Sequence, residues 1–253
     1  MIIAVDIGNT TVEIGFVKDK KFIKSYRLSS DLDKTSDDWV LNLLQIKNIE
    51  NNSIRDIVIS SVVPKLEKTL ISSFEKAYNK KPLIIGKDLK VPIKNNYKNP
   101  SEVGIDRLVN AYSAINKVNP PIIVVDLGTA ITFDVISEEG AYEGGAIFPG
   151  INSSLYALFS KTSKLPMVEI DKPEDIVGKT TVESIKSGIY FGYCSLIDGM
   201  IERISKGKNY NIILTGGNSK LISNCIESKH MLDEYLAMEG IYLIYQYNLL
   251  YSK

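Results

Sequence analysis

The hydrophobic positions of the chain repeat with two different periods, and these periods predict a regular order of strands and helices. Near the N-terminus an apolar run ends at Asp6, and apolar side chains then return at every second position, at Val12, Ile14 and Phe16. Alternation of this kind is typical of β-strands, whereas apolar residues three and four apart indicate a helix. The start of the chain therefore predicts the order β-β-β-α-β-α-β, with elements at Ile2–Asp6, Thr11–Val17, Phe22–Leu28, Ser36–Ile46, Ile57–Val63, Pro64–Tyr78 and Pro82–Ile85.

A second copy of this pattern begins near the middle of the chain. An apolar, β-branched run ends at Asp126, and apolar residues alternate again from Ile131 to Val135. Asp6 and Asp126 are 126 − 6 = 120 positions apart, close to half of the 253 residues. Such a repeat indicates a duplicated α/β fold. The other elements predicted for this half are a strand at Gly140–Ile147, a helix from Asn152, a loop at Lys164–Lys179, a helix from Thr180 or Thr181 to Ile204, a strand at Tyr210–Leu214 and a helix at Leu236–Tyr247.

Each copy has a glycine turn between two strands, at Gly8 and at Gly128, where a Cβ would hinder a sharp turn. The chain returns as a strand after each turn, whereas in dinucleotide-binding and Walker loops the glycine turn opens a helix. Backbone N–H groups, the hydroxyls of Thr129 and Thr132, and a nearby aspartate suit a phosphate chain that carries a metal ion. One such turn also closes ordinary hairpins, but two copies favour two turns that face one nucleotide cleft.

A polar segment precedes the helix that links the two copies. Ser101 follows Pro100 and is expected to cap this helix. Its first turns would then carry Glu102, Gly104 and Asp106, although a like-charge pair four residues apart is mildly unfavourable and glycine disfavours a helix. Two interpretations stay open for these acids: a solvated helix start that suits the helix dipole, or a binding site.

Glycines mark three further places in the second half. The pair Gly144-Gly145 indicates either tight packing or ligand contact. Gly188, Gly192 and Gly199 lie within the long helix and suggest close helix packing, which could be a subunit contact. The segment Thr215–Asn218 precedes a helix, so it is either a simple tight turn or a place where N–H groups meet the sugar or α-phosphate of a nucleotide.

The composition is that of a soluble globular protein, with 44% hydrophobic and 24% charged residues and a formal net charge of zero. With no long basic run, binding to nucleic acid or to an anionic membrane is not favoured. The apolar runs are too short to span a membrane, and the N-terminus lacks the basic region and cleavage site of a signal peptide.

The two cysteines and the single histidine limit the catalytic mechanisms and metal sites that the chain can form. Cys194 and Cys225 have no paired spacing, so they are expected to be core thiols rather than a disulfide or a zinc site, and a cytoplasmic location follows. His230, the one histidine, lies in a polar stretch and is expected at the surface. A Ser-His-Asp mechanism or a histidine-rich metal site is therefore improbable.

Taken together, the motifs resemble those of type III pantothenate kinases, a family within the acetate kinase–sugar kinase–Hsp70–actin superfamily. The resemblance covers nearly the whole chain. Its motifs are Asp6-Ile7-Gly8-Asn9-Thr10, Tyr97 with Asn99–Arg107, Asp126–Asp134, Gly144-Gly145, Pro149-Gly150, Gly178–Glu183 and Thr215-Gly216-Gly217. One departure is the segment Leu232–Leu236, which has Asp233-Glu234 where the family commonly has an Asp-Pro pair.

The resemblance implies a duplicated actin-like, ribonuclease H-like α/β fold with two βββαβαβα-type halves, residues 1–118 and 119–253, around a central nucleotide cleft. It also implies a homodimer whose substrate site is completed across the interface. The reaction would be ATP-dependent phosphorylation of pantothenate to 4'-phosphopantothenate, the first step of coenzyme A biosynthesis, with Mg²⁺ accompanying ATP. Two other functions stay open: a kinase of another small alcohol, and a catalytically idle regulatory homologue, although the retained Asp6, Asp106 and Asp126 argue against idleness.

The roles that the resemblance implies can be stated residue by residue. Asp106 is the general base, and Asp126 binds a monovalent cation, K⁺ or NH₄⁺. Pantothenate is held by Tyr97, Gly104, Ile105, Asp106, Arg107 and Thr181, and ATP is contacted by Asp6, Ile7, Gly8, Asn9, Thr10, Thr11, Val12, Glu13 and Thr129. Because an opposite charge favours the carboxylate form, Asp106 is expected to stay ionised if Arg107 lies near it.

Overall fold

The computed structural model describes residues 1–18, 21–46 and 54–251, which form two compact units. The first unit comprises Met1–Lys94, Lys98–Ser113 and Leu236–Lys253. The second comprises Asn95–Tyr97 and Ala114–Tyr235. Each unit is built on one five-stranded mixed sheet.

The first unit has the sheet order β3-β2-β1-β4-β5. Helices α1 and α2 cover one face of this sheet, where Trp39, Leu43 and Phe74 are buried, and helices α3 and α7 contribute Val109 and Ile241 to the apolar cluster on the other face. The elements of this unit are β1 (Ile2–Ile7), β2 (Thr11–Lys18), β3 (Lys21–Ser29), α1 (Ser36–Gln45), β4 (Asp56–Ser61), α2 (Pro64–Tyr78), β5 (Leu83–Ile84), a 3₁₀ turn (Pro100–Glu102), α3 (Ile105–Ile115) and α7 (Leu236–Tyr251).

The second unit repeats the first, because its sheet order β8-β7-β6-β9-β10 matches β3-β2-β1-β4-β5 strand for strand. In both sheets the first strand pairs antiparallel with the second and parallel with the fourth. The predicted duplication of an α/β fold is therefore confirmed. The elements are β6 (Ile122–Leu127), β7 (Ala130–Ile136), β8 (Tyr142–Pro149), α4 (Ile151–Lys161), α5 (Thr181–Ser205), β9 (Asn211–Thr215), α6 (Ser219–Ser223) and β10 (His230–Leu232).

Several helix starts follow directly from local sequence. The Thr35 hydroxyl accepts the Asp38 N–H and the Asp38 carboxylate accepts the Thr35 N–H, which is a capping box before α1. Pro64 occupies the first position of α2, where a missing N–H costs nothing. Thr180 and Glu183 form a second capping box before α5. These helices lie within one or two residues of their predicted bounds.

The segment at Ser101 differs from its prediction. Residues Pro100–Glu102 form a 3₁₀ turn, and α3 begins only at Ile105, so Ser101 does not cap it. The Ser101 hydroxyl instead donates to Oδ1 of Asn99 at 2.8 Å. As a result Glu102 lies outside the helix, and the unfavourable helical pair of Glu102 with Asp106 does not arise.

The two cysteines are paired, so the prediction of separate core thiols was wrong. Cys194 on α5 forms a disulfide with Cys225, which follows α6, with Cα atoms 5.8 Å apart. Their separation of 31 positions gave no local signal, because only the packing of α5 against α6 brings them together. The cysteines therefore no longer support a cytoplasmic location, which stays a prediction.

The C-terminal part of the chain differs from its prediction at β10 and α7. His230 begins the short strand β10, which the sequence did not predict, and it is half-buried, with Nδ1 2.7 Å from the Ser228 carbonyl oxygen. Helix α7 extends to Tyr251 and packs against β1 and β4. The predicted division at residues 118 and 119 therefore differs from the compact units at this helix. Among the described residues, no helix has the length and apolar character of a membrane span.

Candidate functional site

The first glycine turn follows β1 in the first unit. The Gly8 N–H donates to the Thr11 carbonyl at 3.0 Å, which closes the turn. Ser30 holds it from outside, since its N–H donates to the Thr10 carbonyl at 2.9 Å and its hydroxyl to the Gly8 carbonyl at 2.6 Å. The side chains of Asn9, Thr10 and Thr11 are exposed. The turn thus offers polar groups on a braced backbone, as a phosphate site requires.

The other residues of this segment that are predicted to contact ATP are less exposed than Asn9, Thr10 and Thr11. The side chains of Ile7 and Val12 are fully buried in the core, so only their backbone groups can reach a ligand. Glu13 is held by β3, because its carboxylate accepts the Ser25 hydroxyl at 2.6 Å and the Arg27 Nε–H at 2.9 Å. Asp6 lies between Glu13 and Ser60 in the sheet register.

The second glycine turn follows β6 in the second unit. The Gly128 N–H donates to the Ala130 carbonyl at 3.1 Å. The start of α4 packs on this turn, since the Gly150 N–H at 3.2 Å and the Ser153 hydroxyl at 3.0 Å both donate to the Thr129 carbonyl. A Cβ built on Gly150 would lie 2.6 Å from the Gly128 carbonyl oxygen. The side chain of Thr129 remains exposed, whereas the Thr132 hydroxyl donates to Asp134.

Asp126 lies beside the turn that follows β9. Gly216 has φ +90°, and a Cβ there would collide with Oδ1 of Asp126 and lie 2.7 Å from the Leu127 nitrogen. The Asn218 N–H donates to the Leu127 carbonyl at 3.1 Å, which fixes the two turns together. The carboxylate therefore occupies a cradle that exists only because residue 216 is glycine. Carboxylate oxygens are ligands for cations, and the Asp126 carboxylate lies next to the second glycine turn.

A metal cage made by the protein alone is absent from the described residues, since no group of three or more His, Cys, Asp or Glu side chains is placed to hold an ion. Asp6 lies near the end of β1, beside the first glycine turn.

Asp106 is the second residue of α3, and its carboxylate folds back over the chain before the helix. Oδ1 accepts the Arg107 N–H at 2.8 Å. A Cβ built on Gly104 would lie 2.5 Å from the same oxygen, so the position of the carboxylate depends on glycine at 104.

Burial raises the pKa of the Asp106 carboxyl, and the N–H and positive charge of Arg107 oppose this effect without reversing it. The neighbouring arginine does favour the carboxylate, as expected, but burial has the larger effect on the pKa, and the expectation that Asp106 stays ionised remains a prediction. Desolvation penalises the charged carboxylate more than one opposite charge favours it. Arg107 is itself buried, with 8% of its surface exposed. The raised pKa makes Asp106 a stronger base than a solvated aspartate.

The neighbours of Asp106 in the predicted substrate motif have structural contacts of their own. Ile105 packs towards Gly86, where a Cβ would lie 3.2 Å from its Cδ1. Ile105 also borders the apolar cluster on the α7 face of the first sheet. Its side chain therefore anchors the start of α3, and a ligand would meet its backbone.

Tyr97 belongs to the second unit. Its N–H donates to Oδ1 of Asn95 at 3.0 Å, and its ring packs on Gly144, where a Cβ would lie 3.2 Å from the ring. Gly144 has φ +120° and Tyr142 lies alongside, with ring centroids 6.4 Å apart. Close packing against Tyr97 thus explains Gly144 of the glycine pair of β8.

Thr181 lines a groove of about 620 Å³ at the start of α5. Much of the motif around it is structural, because the Glu183 carboxylate accepts the N–H groups of Lys179 at 2.7 Å and Thr180 at 3.1 Å. A Cβ on Gly178 would collide with the Ser184 backbone. Thr181 and Ser184 are the exposed hydroxyl residues of this first helical turn, and the Ser184 hydroxyl donates to the Gly178 carbonyl at 3.4 Å. The remaining lining is mixed, with Leu158, Leu165, Ile185 and Ile189 as its apolar part.

Sequence reasoning missed the residues that brace the turns. Ser30 and Ser153 hold the two glycine turns through carbonyl groups, and neither lies within a recognised motif. The only local signal for Ser153 was its place in the first turn of a predicted helix. Ser30 pairs with a turn 22 positions away, which a one-dimensional pattern does not reveal.

Comparison with known proteins gives a consistent result. The family model described as type III pantothenate kinase matches residues 2–203. A protein of Persephonella marina named type III pantothenate kinase is 57% identical over 98% of this chain and 99% of its own.

Two solved structures extend the comparison to the fold alone. One is described as a conserved putative Baf family transcriptional activator from Campylobacter jejuni, with a TM-score of 0.63, 21% identity, and coverage of 98% and 99% of the two chains. The other is a putative N-acetylglucosamine kinase from Porphyromonas gingivalis, with a TM-score of 0.50, 13% identity and full coverage of both chains. The likeness to a sugar kinase confirms the predicted actin-like class of fold.

Proposed function

The chain belongs to the type III pantothenate kinase family, whose reaction is the ATP-dependent phosphorylation of pantothenate in coenzyme A biosynthesis, and we propose that Asp106 is the base of this reaction. The hydroxyl oxygen of pantothenate attacks the γ-phosphorus of ATP, and the bond from this phosphorus to the bridging oxygen breaks. The hydroxyl proton passes to the Asp106 carboxylate, and ADP leaves. The products are 4'-phosphopantothenate and ADP.

The position and the pKa of the Asp106 carboxylate support this role most directly. It is held by the Arg107 N–H and by the absence of a side chain at Gly104, so its position is fixed before substrate binds. Its pKa is raised by burial. General-base catalysis is most effective when the pKa of the base approaches the working pH, so the upward direction favours proton acceptance. The assay that tests the proposal is the formation of 4'-phosphopantothenate by the purified protein.

We extend this proposal to the residues that hold pantothenate. The backbone of Gly104 and Ile105 lies next to Asp106, and the buried guanidinium of Arg107 supplies a positive charge beside it. Arginine suits the recognition of a carboxylate, which pantothenate carries. Tyr97 and Thr181 offer a packed aromatic ring and an exposed hydroxyl. Phosphoryl transfer depends mainly on positioning, and these groups would supply it.

Residues of each glycine turn are proposed to contact ATP. Exposed Asn9, Thr10 and Thr11 in the first unit and Thr129 in the second would contact the nucleotide through side chains, and Asp6, Gly8 and Glu13 complete the proposed set together with backbone groups of Ile7 and Val12. Mg²⁺ would accompany the phosphates and neutralise their charge. The braced backbone of both turns supports this role, because preorganised N–H groups stabilise developing charge without reorganisation.

Asp126 is the proposed site of a monovalent cation, K⁺ or NH₄⁺. Its carboxylate lies in the cradle above Gly216, next to the second glycine turn. A carboxylate close to nucleotide phosphates needs a counter-charge, because like charges repel strongly in a partly desolvated place. A bound cation would supply that charge and hold the turn towards the phosphates.

We also propose that the protein is a homodimer. In the described chain, a Cβ built on Gly188, Gly192 or Gly199 would meet no atom within 4 Å beyond its own helix neighbourhood. The close packing predicted for these glycines is therefore not satisfied within the described chain. Their spacing places them along one side of α5, which leaves a smooth strip open to a partner. Twofold association is the commonest oligomeric form and would allow such a strip to meet its own copy.

A further inference from the structure

Asp6 lies in a row of side chains that crosses the first sheet. In the register of the strands, Asp6 is paired with Glu13 of β2 on one side and with Ser60 of β4 on the other. Paired residues of neighbouring strands place their side chains on the same face, and the strands are about 4.8 Å apart. Glu13 and Ser60 are therefore the two lateral neighbours of the Asp6 carboxylate.

Glu13 is not available to support Asp6. Its carboxylate accepts hydrogen bonds from Ser25 and Arg27, both on β3, and is thus directed towards the strand on its far side. Glu13 is also an acid, and an ionised carboxylate has no hydrogen to donate. Of the two lateral neighbours, Ser60 is the one with a donor.

Ser60 is an unusual serine. Its residue is fully buried, with 0% of its surface exposed, and its hydroxyl has no hydrogen-bond partner among the residues that the structure describes. Buried polar groups almost always have a partner, so each exception calls for a reason. Ser73, by comparison, is equally buried and donates to the Ser36 and Thr69 carbonyl groups. A hydroxyl without a partner beside a carboxylate indicates a contact that forms in another state of the protein.

The second unit contains the same arrangement. Asp126 is paired in register with Thr215 of the neighbouring parallel strand β9, as Asp6 is with Ser60 of β4. Thr215 is also buried, with 3% of its surface exposed. These positions belong to strands whose other residues are mostly apolar. An acid beside a hydroxyl has therefore been placed at the same point of both sheets.

We propose that Ser60 is a positioning residue: its hydroxyl donates a hydrogen bond to the Asp6 carboxylate when the first glycine turn holds ATP. This inference rests on the proposed contact of residues 6–13 with ATP. The bond requires only rotation of the two side chains between staggered rotamers, without movement of the strands. Hydrogen bonds of this kind often tighten only in the loaded site. The bond would fix the direction of the carboxylate that faces the magnesium nucleotide.

Ser60→Ala is the direct test. We expect the KM for ATP and the dissociation constant of a non-hydrolysable ATP analogue to rise about tenfold, the size expected for a hydrogen bond to a charged group. The KM for pantothenate should not change. The melting temperature of the free protein should stay the same or rise, because the variant removes a buried hydroxyl that has no partner there. Ser60→Cys keeps the size and a weak donor, and should recover part of the affinity.

Two other buried serines of the first unit provide matched controls. The Ser113 hydroxyl is also fully buried without a partner among the described residues, and it lies on α3 against α7. Ser113→Ala should leave both the affinity for ATP and the melting temperature close to those of the unaltered protein. Ser73→Ala removes a hydroxyl that makes two hydrogen bonds, so it should lower the melting temperature without a selective effect on ATP.

The possible outcomes separate clearly. An unchanged affinity of Ser60→Ala for ATP and its analogue would overturn the proposal. A fall in melting temperature like that of Ser73→Ala would also overturn it, since the hydroxyl would then have a partner in the free protein. Titration with the ATP analogue needs no pantothenate. A protein that binds the analogue but does not phosphorylate pantothenate would contradict the proposed function and leave the test of Ser60 intact.

Discussion

The carboxylate of Asp106 occupies the space in which Gly104 would carry a side chain. A Cβ at position 104 would lie 2.5 Å from Oδ1 of Asp106 and 3.6 Å from its Cγ. A steric requirement thus explains why position 104, before α3, is a glycine, and no argument from chain flexibility is needed. The proposed base and the residue two positions before it form one structural unit.

Gly104→Ala should therefore displace the Asp106 carboxylate. We expect turnover to fall by about 10²-fold, because a shift of about 1 Å at a reacting group has effects of this size. The melting temperature should change little, since the new methyl group displaces one side chain at the start of a helix. Steady-state turnover at saturating ATP and pantothenate measures the effect.

The double variant Gly104→Ala with Asp106→Asn serves as the control for this prediction. If Gly104 acts only by leaving room for Asp106, the double variant should be no slower than Asp106→Asn alone. A further loss of turnover in the double variant would show that Gly104 has another role, such as a direct backbone contact with the substrate.

The raised pKa of Asp106 predicts a pH-dependent stability. Burial favours the protonated carboxyl, so its contribution to stability is fully present below the unfolded pKa of about 3.9 and is lost as the pH rises through the folded value. Asp106→Asn cannot ionise and escapes this loss. The difference in melting temperature should shift in favour of the variant as the pH rises from about 3 to about 7. Thermal unfolding followed by circular dichroism measures it.

Asp37→Asn is the matched control for this experiment. Asp37 is the second residue of α1, as Asp106 is of α3, but it is exposed and pairs with Lys76 at 2.8 Å. Its replacement should lower the melting temperature slightly at neutral pH and leave turnover unchanged. A constant difference between Asp106→Asn and the unaltered protein across the pH range would contradict the prediction.

The carboxylate of Asp126 predicts a dependence on monovalent cations. Turnover should be higher in K⁺ or NH₄⁺ than in Na⁺ or Li⁺ at constant ionic strength, because the smaller ions hold their water more strongly. Asp126→Asn should weaken this preference, since a neutral amide binds a cation less well than a carboxylate. Equal rates in all four salts would exclude the proposed cation role of Asp126.

The open strip on α5 predicts the oligomeric state. Light scattering should give a mass twice the chain mass of 28.2 kDa at working concentrations. Gly192→Leu should shift the protein towards the monomer, because a large side chain would stand on the strip. The folded chain should tolerate the change, since leucine favours a helix more than glycine does. A monomeric mass for the unaltered protein would contradict the dimer.

Much of the fold could be predicted because its signals are local. Apolar residues alternate after Asp6 and Asp126, and this period predicts the strands that follow. Asp6 and Asp126 themselves lie near the ends of β1 and β6, as expected. The capping contacts between Thr180 and Glu183, three residues apart, predict the start of α5. Pro64 does the same for α2.

The features that escaped prediction depend on distant contacts or on competing local geometry. Cys194 and Cys225 meet only through the packing of two helices. Ser101 had the chemistry of a cap, but its hydroxyl bonds to Asn99 within a 3₁₀ turn and the helix begins later. The sequence shows the arginine next to Asp106, which favours the carboxylate, but it does not show the burial, which raises the pKa of Asp106.

We propose that this chain phosphorylates pantothenate with Asp106 as the base. The most direct measurement is mass-spectrometric detection of 4'-phosphopantothenate made by the purified protein and by Asp106→Asn, with ATP, Mg²⁺ and K⁺ present. We expect one phosphopantothenate for each ADP formed, and a loss of about 10²–10⁴-fold in turnover for the variant. Absence of product with the unaltered protein, or near-normal turnover of the variant, would contradict it.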